Sequence, residues 1–137
     1  MPQQELRIQT PGRGLFDMTR QCRGWVREQN VASGLVHVFC RHTSASLILC
    51  ESADPDVLVD LERYLSDLVP DGDPRFIHTA EGPDDMAAHI RSVLTASSLS
   101  VPVVNGELAL GTWQGIFLWE HRLAPHQRQV VLSLLQL

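Results

Sequence analysis

Two imidazoles and three carboxylates crowd the run F-I-H-T-A-E-G-P-D-D-M-A-A-H, Phe76 to His89, around a Gly-Pro turn. Gathered like charges repel and buried ones need partners, so this group suits the binding of a cation or a polar ligand better than it suits a fold. In a helix that begins at Pro83, Asp85 and His89 stand four apart and share a face, while His78 and Glu81 lie in the chain that enters it. One histidine from each side can then converge on a single metal or anion. Mixed imidazole and carboxylate ligands favour zinc, manganese or iron over calcium. The spacing H-x2-E-x3-D-x3-H is no standard ligand pattern. The competing explanation is helical: Asp84 and Asp85 in a first turn are stabilised by the helix dipole by about 0.3–1 kcal/mol.

A second concentration of polar chemistry is R-H-T-S-A-S, Arg41 to Ser46, between apolar stretches. His42 beside Thr43, Ser44 and Ser46 can bind phosphate or shuttle a proton. The bland alternative is a strand whose outward face carries hydroxyls. No G-x-S-x-G elbow is present, so a serine hydrolase is not the first expectation. In G-T-W-Q-G, Gly111 to Gly115, the glycines suggest backbone passing close to something large, with Trp113 either lining a pocket or filling a core. Arg122 is a candidate anion contact and Glu120 a pairing partner.

These groups need elements to hold them. Leu6, Ile8 and Thr10 alternate with polar residues as in a half-buried strand, and Thr19 is placed to cap a helix reaching about Gln29. Leu35 to Glu51, broken at R-H-T-S-A-S, reads as two strand segments or one long bent strand. Asp54 before Pro55 is a good N-cap for a helix ended by Pro70, whose inward face is Val57, Leu61, Tyr64, Leu65 and Leu68. A further helix is predicted from Gly82-Pro83, carrying Met86, Ile90 and Leu94 inward. The remainder is predicted extended over 98–104, 107–110, 115–121 and 129–135, with a hairpin turn at Asn105-Gly106. The expected fold class is α+β, mostly antiparallel, in one domain over residues 1–137.

Composition narrows the function classes. A net charge of −5 argues against a broad nucleic-acid surface. No apolar run is long enough to span a membrane, and the N-terminus has no apolar leader, so a cytoplasmic location is expected. All 11 basic residues are arginine, which excludes Schiff-base chemistry on lysine. The three cysteines, Cys22, Cys40 and Cys50, lack C-x-x-C spacing and read as reduced, mostly buried thiols.

H-T-S-A-S (42–46), E-S-A-D-P-D-V (51–57), H-T-A-E-G-P-D-D-M-A-A-H (78–89), P-V-V-N-G-E-L-A-L-G-T-W-Q-G-I (102–116) and E-H-R (120–122) together resemble the YjbQ-like family, often labelled secondary thiamine-phosphate synthase. The resemblance covers nearly the whole chain. It implies a β-sandwich-like sheet assembly with two to three helices and a homotrimer. It also implies an enzyme joining a pyrimidine methyl diphosphate to a thiazole phosphate with release of pyrophosphate. By motif position it points to His42, Ser44, Glu51 and Asp85 as catalytic, and to Thr43, Thr112, Trp113, Gln114 and Arg122 as contacts to a small phosphate-bearing substrate. His78, Glu81 and His89 then hold a divalent metal, zinc or magnesium. Two other functions fit the same residues: a metal-dependent hydrolase or lyase, and a non-enzymatic trimer that binds a metabolite.

Overall fold

A computed structural model describes residues 1–136. In chain order the elements are β1 (Gln3–Thr10), β2 (Gly14–Asp17), α1 (Thr19–Glu28), β3 (Ser33–Cys40), β4 (Ala45–Glu51), α2 (Pro55–Leu68), α3 (Asp85–Leu94), β5 (Ser98–Val104), β6 (Glu107–Leu108), β7 (Gln114–Glu120) and β8 (His126–Gln136). They form a single α+β domain with two antiparallel sheets, ordered β1-β8-β3-β5-β6 and β2-β7-β4.

The layers follow from where the apolar side chains point. Val36, Val38, Val101, Val103, Val130, Leu132 and Leu134 from the large sheet meet Leu47, Ile116 and Leu118 from the small one, and Cys22, Trp25 and Val26 of α1 join the same core. The small sheet is covered on its other face as well, where Trp119 packs with Leu65 and Val69 around α2 and with Ala87 of α3. β7 is therefore buried from Gly115 to Glu120 and reads as a continuous apolar run, as expected of a strand covered on both faces. The large sheet alternates instead, with Val36 and Val38 inward and Phe39 outward.

Local chemistry explains most element ends. The Asp54 carboxylate accepts the Asp56 N–H at 2.9 Å, with Pro55 in the first turn, as the sequence leads one to expect. Asn105 (φ 50°) and Gly106 (φ 79°) make the tight turn between β5 and β6. Three expectations need correction. Thr19 is not the cap of α1: the Asp17 carboxylate accepts both its N–H (2.9 Å) and its hydroxyl (2.6 Å), and the Thr19 oxygen accepts the Ile116 N–H. α3 begins at Asp85 rather than Pro83, because Asp84 and Asp85 are pinned by Arg122, and it turns Ala87, Ala88 and Arg91 inward while Leu94 is 57% exposed. On α2, Tyr64 (76%) and Leu68 (60%) face outward, since the helix turns Leu61, Glu62 and Leu65 toward the small sheet.

β2 has no forerunner in the sequence reading. It is a four-residue edge strand, half-buried throughout most of its length, whose pairing with β7 depends on a partner about a hundred residues away. Burial pushes the Cys22 thiol up to about 12 and the Cys50 thiol up to about 11, so neither is a thiolate near neutrality. No helix among the described residues is long and apolar enough to cross a membrane.

Candidate functional site

The C-terminal end of β7 gathers the polar groups. Glu120 and His121 are fully buried there and Arg122 follows them. Arg13 donates from Nε and Nη2 to the His121 carbonyl at 2.9 and 2.7 Å and grips the Asp71 carboxylate in a bidentate pair at 2.8 and 2.9 Å. Gly72 N–H then bonds the Pro83 carbonyl at 2.9 Å, which closes the loop from α2 to α3 back on itself. Arg122 fastens the other end of that loop. Its Nε donates to Asp84 Oδ2 (2.9 Å), its Nη1 to Asp85 Oδ1 (2.9 Å) and its Nη2 to the Glu81 carbonyl (2.9 Å).

With Oδ1 of Asp85 so occupied, Oδ2 faces two imidazoles. His78 Nε2 lies 2.8 Å from it and His89 Nε2 3.1 Å from it, and the two rings sit 5.4 Å apart, tilted by 58°. The other nitrogen of His89, Nδ1, is 3.1 Å from the Thr43 carbonyl. A carbonyl can only accept, so Nδ1 carries a proton, and the Nε2 lone pair of the neutral ring is aimed at the carboxylate. Two lone-pair bearers face each other stably only with a cation, a proton or a metal, between them. His78, Asp85 and His89 each offer one ligand atom, and all three lie within 4.8 Å of one another. Ligands about 2.1 Å from a tetrahedral zinc stand roughly 3.4 Å apart, so small adjustments would suffice to seat one.

Electrostatics favour an ionised carboxylate here. Burial raises the Asp85 carboxyl, but the hydrogen bond from His78 and the positive charge around it, Arg122 foremost among the permanent cations, outweigh it, leaving its pKa lowered. Asp84 is buried too, and the bonds from Arg122 and the Leu123 N–H likewise bring its net shift downward.

The other candidates divide into three groups. His42 and Thr43 lie beside this centre: both line a groove of about 680 Å³ that His89 also borders. The Gln129 main-chain N–H donates to His42 Nε2 at 2.7 Å, so the neutral ring holds its proton on Nδ1. Burial, followed by the nearby charge of Arg128, lowers the His42 pKa. Glu81 contributes its carbonyl to Arg122, and its carboxylate is not among the three converging ligands.

Ser44 is buried, and its hydroxyl and carbonyl both accept from Arg128 Nη2 at 3.0 and 3.2 Å. Arg128 in turn forms a buried pair with Glu120, at 2.7 Å from Nε to Oε1, which also accepts the Thr10 hydroxyl at 2.7 Å. Arg122 is spent on Asp84 and Asp85 rather than left free for an anion.

Glu51, Thr112, Trp113 and Gln114 stand elsewhere. Glu51 is at the far end of β4 from Ala45, roughly 20 Å along the strand. Thr112 and Gln114 line a separate polar cleft with Arg20, Arg23 and Ser52. Trp113 is 63% exposed and belongs to neither core cluster. The close approach anticipated from the glycines is real at Gly115, where a Cβ would come within 2.9 Å of both the Phe117 ring and the Ser52 Cβ. Within one chain these four residues do not meet the histidines.

Several supporting residues escape a reading of the sequence. Arg91 is fully buried and donates to the Val69 carbonyl at 3.1 Å and to Glu62 at 3.3 Å. His121 is buried against Ser46, Nε2 to Oγ 2.8 Å, and burial drives its pKa down to about 3. Arg91 lies in no recognisable pattern, and the E-H-R run that contains His121 does not reveal its burial, because the partners of both residues come from other elements.

The comparisons with known proteins agree with this architecture. Residues 4–137 match the family described as UPF0047 protein YjbQ-like. A UPF0047 protein of Synechocystis is 53% identical over 130 residues, covering 95% of this chain and 88% of that protein. The UPF0047 protein YjbQ of Escherichia coli O157:H7 is 39% identical, covering 96% of both. Among solved structures, a hypothetical protein of Aeropyrum pernix superposes with a TM-score of 0.91 at 28% identity over all of both chains. A yjbq/upf0047 family protein of Clostridium acetobutylicum gives 0.85 at 33% identity, over 98% of this chain and all of that one. The extent of these matches leads to one conclusion: this chain belongs to the UPF0047 YjbQ-like family.

Proposed function

We propose that this chain is a metal-dependent hydrolase or lyase in which His78, Asp85 and His89 hold one divalent cation. The observation that carries the reading is the convergence of Nε2 of both histidines on one carboxylate oxygen, with the Nδ1 of His89 tied to the Thr43 carbonyl. A hydrogen bond of that kind from the second ring nitrogen is what orients a ligating histidine. Two imidazoles and a carboxylate suit zinc, and three protein ligands leave a position for water or substrate. When bound, such a cation supplies Lewis-acid polarisation and lowers the pKa of a bound water.

The chain's own residues do the rest. Arg122 holds Asp85 in orientation and keeps it ionised. The Thr43 carbonyl sets the His89 tautomer, and His42 presents an N–H donor to the adjoining groove.

The thiamine-phosphate synthase reading needs cationic contacts to a diphosphate as well as a cation on it, magnesium held loosely being enough. Arg122 and Arg128 are both bound to carboxylates and so are not free to hold a diphosphate, and the convergence of His78 and His89 on Asp85 favours the hydrolase or lyase. The homotrimer is likewise proposed, supported by the outward apolar side chains of α2, Val59, Tyr64 and Leu68. Such a trimer without catalysis remains the non-enzymatic alternative. The free cysteines suit a reducing cytoplasm.

Elemental analysis of the zinc-loaded, dialysed protein tests the reading. One metal per chain, lost in both His78→Ala and His89→Ala, is the expected result. A folded wild type that retains no metal after loading overturns it.

A further inference from the structure

The groove beside His89 has a chemical character of its own. It runs between the end of β3, the turn after it and α3, and its wall includes Phe39, Arg41, His42, Thr43, His89 and Val93. Among the described residues no carboxylate lines it. Arg41 is its one permanent cation, and among the described residues no carboxylate lies within 4.0 Å of that guanidinium, whereas Arg13, Arg91, Arg122 and Arg128 are all paired. Arg20 and Arg23 are also unpaired and line the other polar cleft, but Asp17 stands in that cleft with them, whereas the described lining of this groove has no acidic side chain beside Arg41.

Counting protons identifies which other groups can donate. The Ser92 hydroxyl is directed at the Ala45 carbonyl (3.4 Å), and Thr95 Oγ1 at the Arg91 carbonyl (2.8 Å), so both are engaged. His42 has Nε2 occupied by the Gln129 N–H, and its Nδ1–H has no partner among the described residues. The Thr43 hydroxyl is similarly unengaged. Arg41, His42 and Thr43 thus offer donors from three consecutive residues lining the groove, one of them permanently cationic. Beyond them the wall turns apolar, with Phe39 44% and Val93 83% exposed.

We propose that this groove is the substrate subsite of the His78, Asp85 and His89 centre and takes a phosphomonoester bearing a compact apolar or aromatic group. The inference rests on the metal-centre reading and adds a substrate class to it. Phosphoryl oxygens meet the guanidinium fork of Arg41 and the N–H and O–H of His42 and Thr43, while the organic group rests on Phe39 and Val93. In the hydrolysis that follows, the oxygen of water forms a bond to phosphorus and the ester P–O bond breaks. One proton from the water ends on the leaving alcohol, and inorganic phosphate is the other product.

The test uses the full chain loaded with zinc, its metal content measured on each sample, and calorimetric titration with benzylphosphonate, which cannot be hydrolysed at its P–C bond. Phenylacetate and benzyl alcohol serve as the carboxylate and neutral comparisons. Benzylphosphonate is expected to bind tightest, and Arg41→Gln to weaken it by about tenfold or more with metal content unchanged. Arg41 is on the surface, so the variant retains the fold. Equal binding of phenylacetate, or indifference to Arg41→Gln, overturns the substrate class even if zinc is held. Arg41-dependent binding by a protein that holds no zinc upholds the phosphate subsite and sinks the metal centre instead.

Discussion

Nδ1 of His89 lies 3.1 Å from the carbonyl oxygen of Thr43, and this contact decides which nitrogen of the ring faces Asp85. Thr43 belongs to the turn between the two sheets, and His89 to a helix on the far side of the small one. The turn is itself held from β8, by Gln129 through His42 and by Arg128 through Ser44. Histidine chemistry on α3 is thereby indexed to the large sheet.

Arg122 acts on the proposed centre through Asp85, so replacing it should loosen metal without removing a ligand. Arg122→Gln is expected to weaken zinc binding about 10–100-fold, read by competition with a chromogenic chelator. An unchanged affinity would show that the carboxylate needs no such orientation.

Glu120 and Arg128 form a buried pair at 0% and 5% side-chain exposure, whereas Arg27 and Glu107 pair at 59% and 48%. Glu120→Ala strands a buried guanidinium and is expected to cost about 3–5 kcal/mol in urea denaturation. Glu107→Ala should cost at most about 1 kcal/mol. Similar losses in the two variants would contradict the assigned burial.

His121 should impose a pH dependence on stability. Burial lowers its pKa from the ordinary 6.5 to about 3, so between those values the unfolded chain binds a proton that the folded one does not. Stability from this group is therefore complete above 6.5 and declines as pH falls toward 3, by up to about 1.4 kcal/mol per unit. His42, also lowered, adds in the same direction. The wild type should lose stability between pH 6.5 and 4.5, and His121→Gln should reduce that slope. An NMR titration in which the His121 ring protonates near pH 6 in the folded state would refute the account.

Gly115 has no room for a methyl group, with the Phe117 ring and Ser52 Cβ at 2.9 Å from where it would sit. Gly115→Ala is expected to destabilise by roughly 1–3 kcal/mol, measured by thermal or chemical unfolding. Gly24, in α1 with nothing within 4 Å of its added Cβ, provides the contrast: Gly24→Ala should stabilise slightly.

Features that depend on neighbours a few residues apart could be read from the amino-acid order. Asp85 and His89 share a helical face because they are four apart, Asp54 caps α2 because Pro55 follows it, and Asn105-Gly106 turns because both residues tolerate positive φ. Tertiary structure decided what local spacing does not encode. Arg122 reaches Asp85 across 37 residues, Gln129 reaches His42 across 87, and β7 is sandwiched between a sheet core and two helices. It also set Glu51, Thr112 and Gln114 apart from the histidines, although their motifs look equally suited to a site. Antiparallel pairing of distant strands and the burial that follows are properties of the folded chain as a whole. Side-chain chemistry is written residue by residue, but its partners are chosen only when the sheets close.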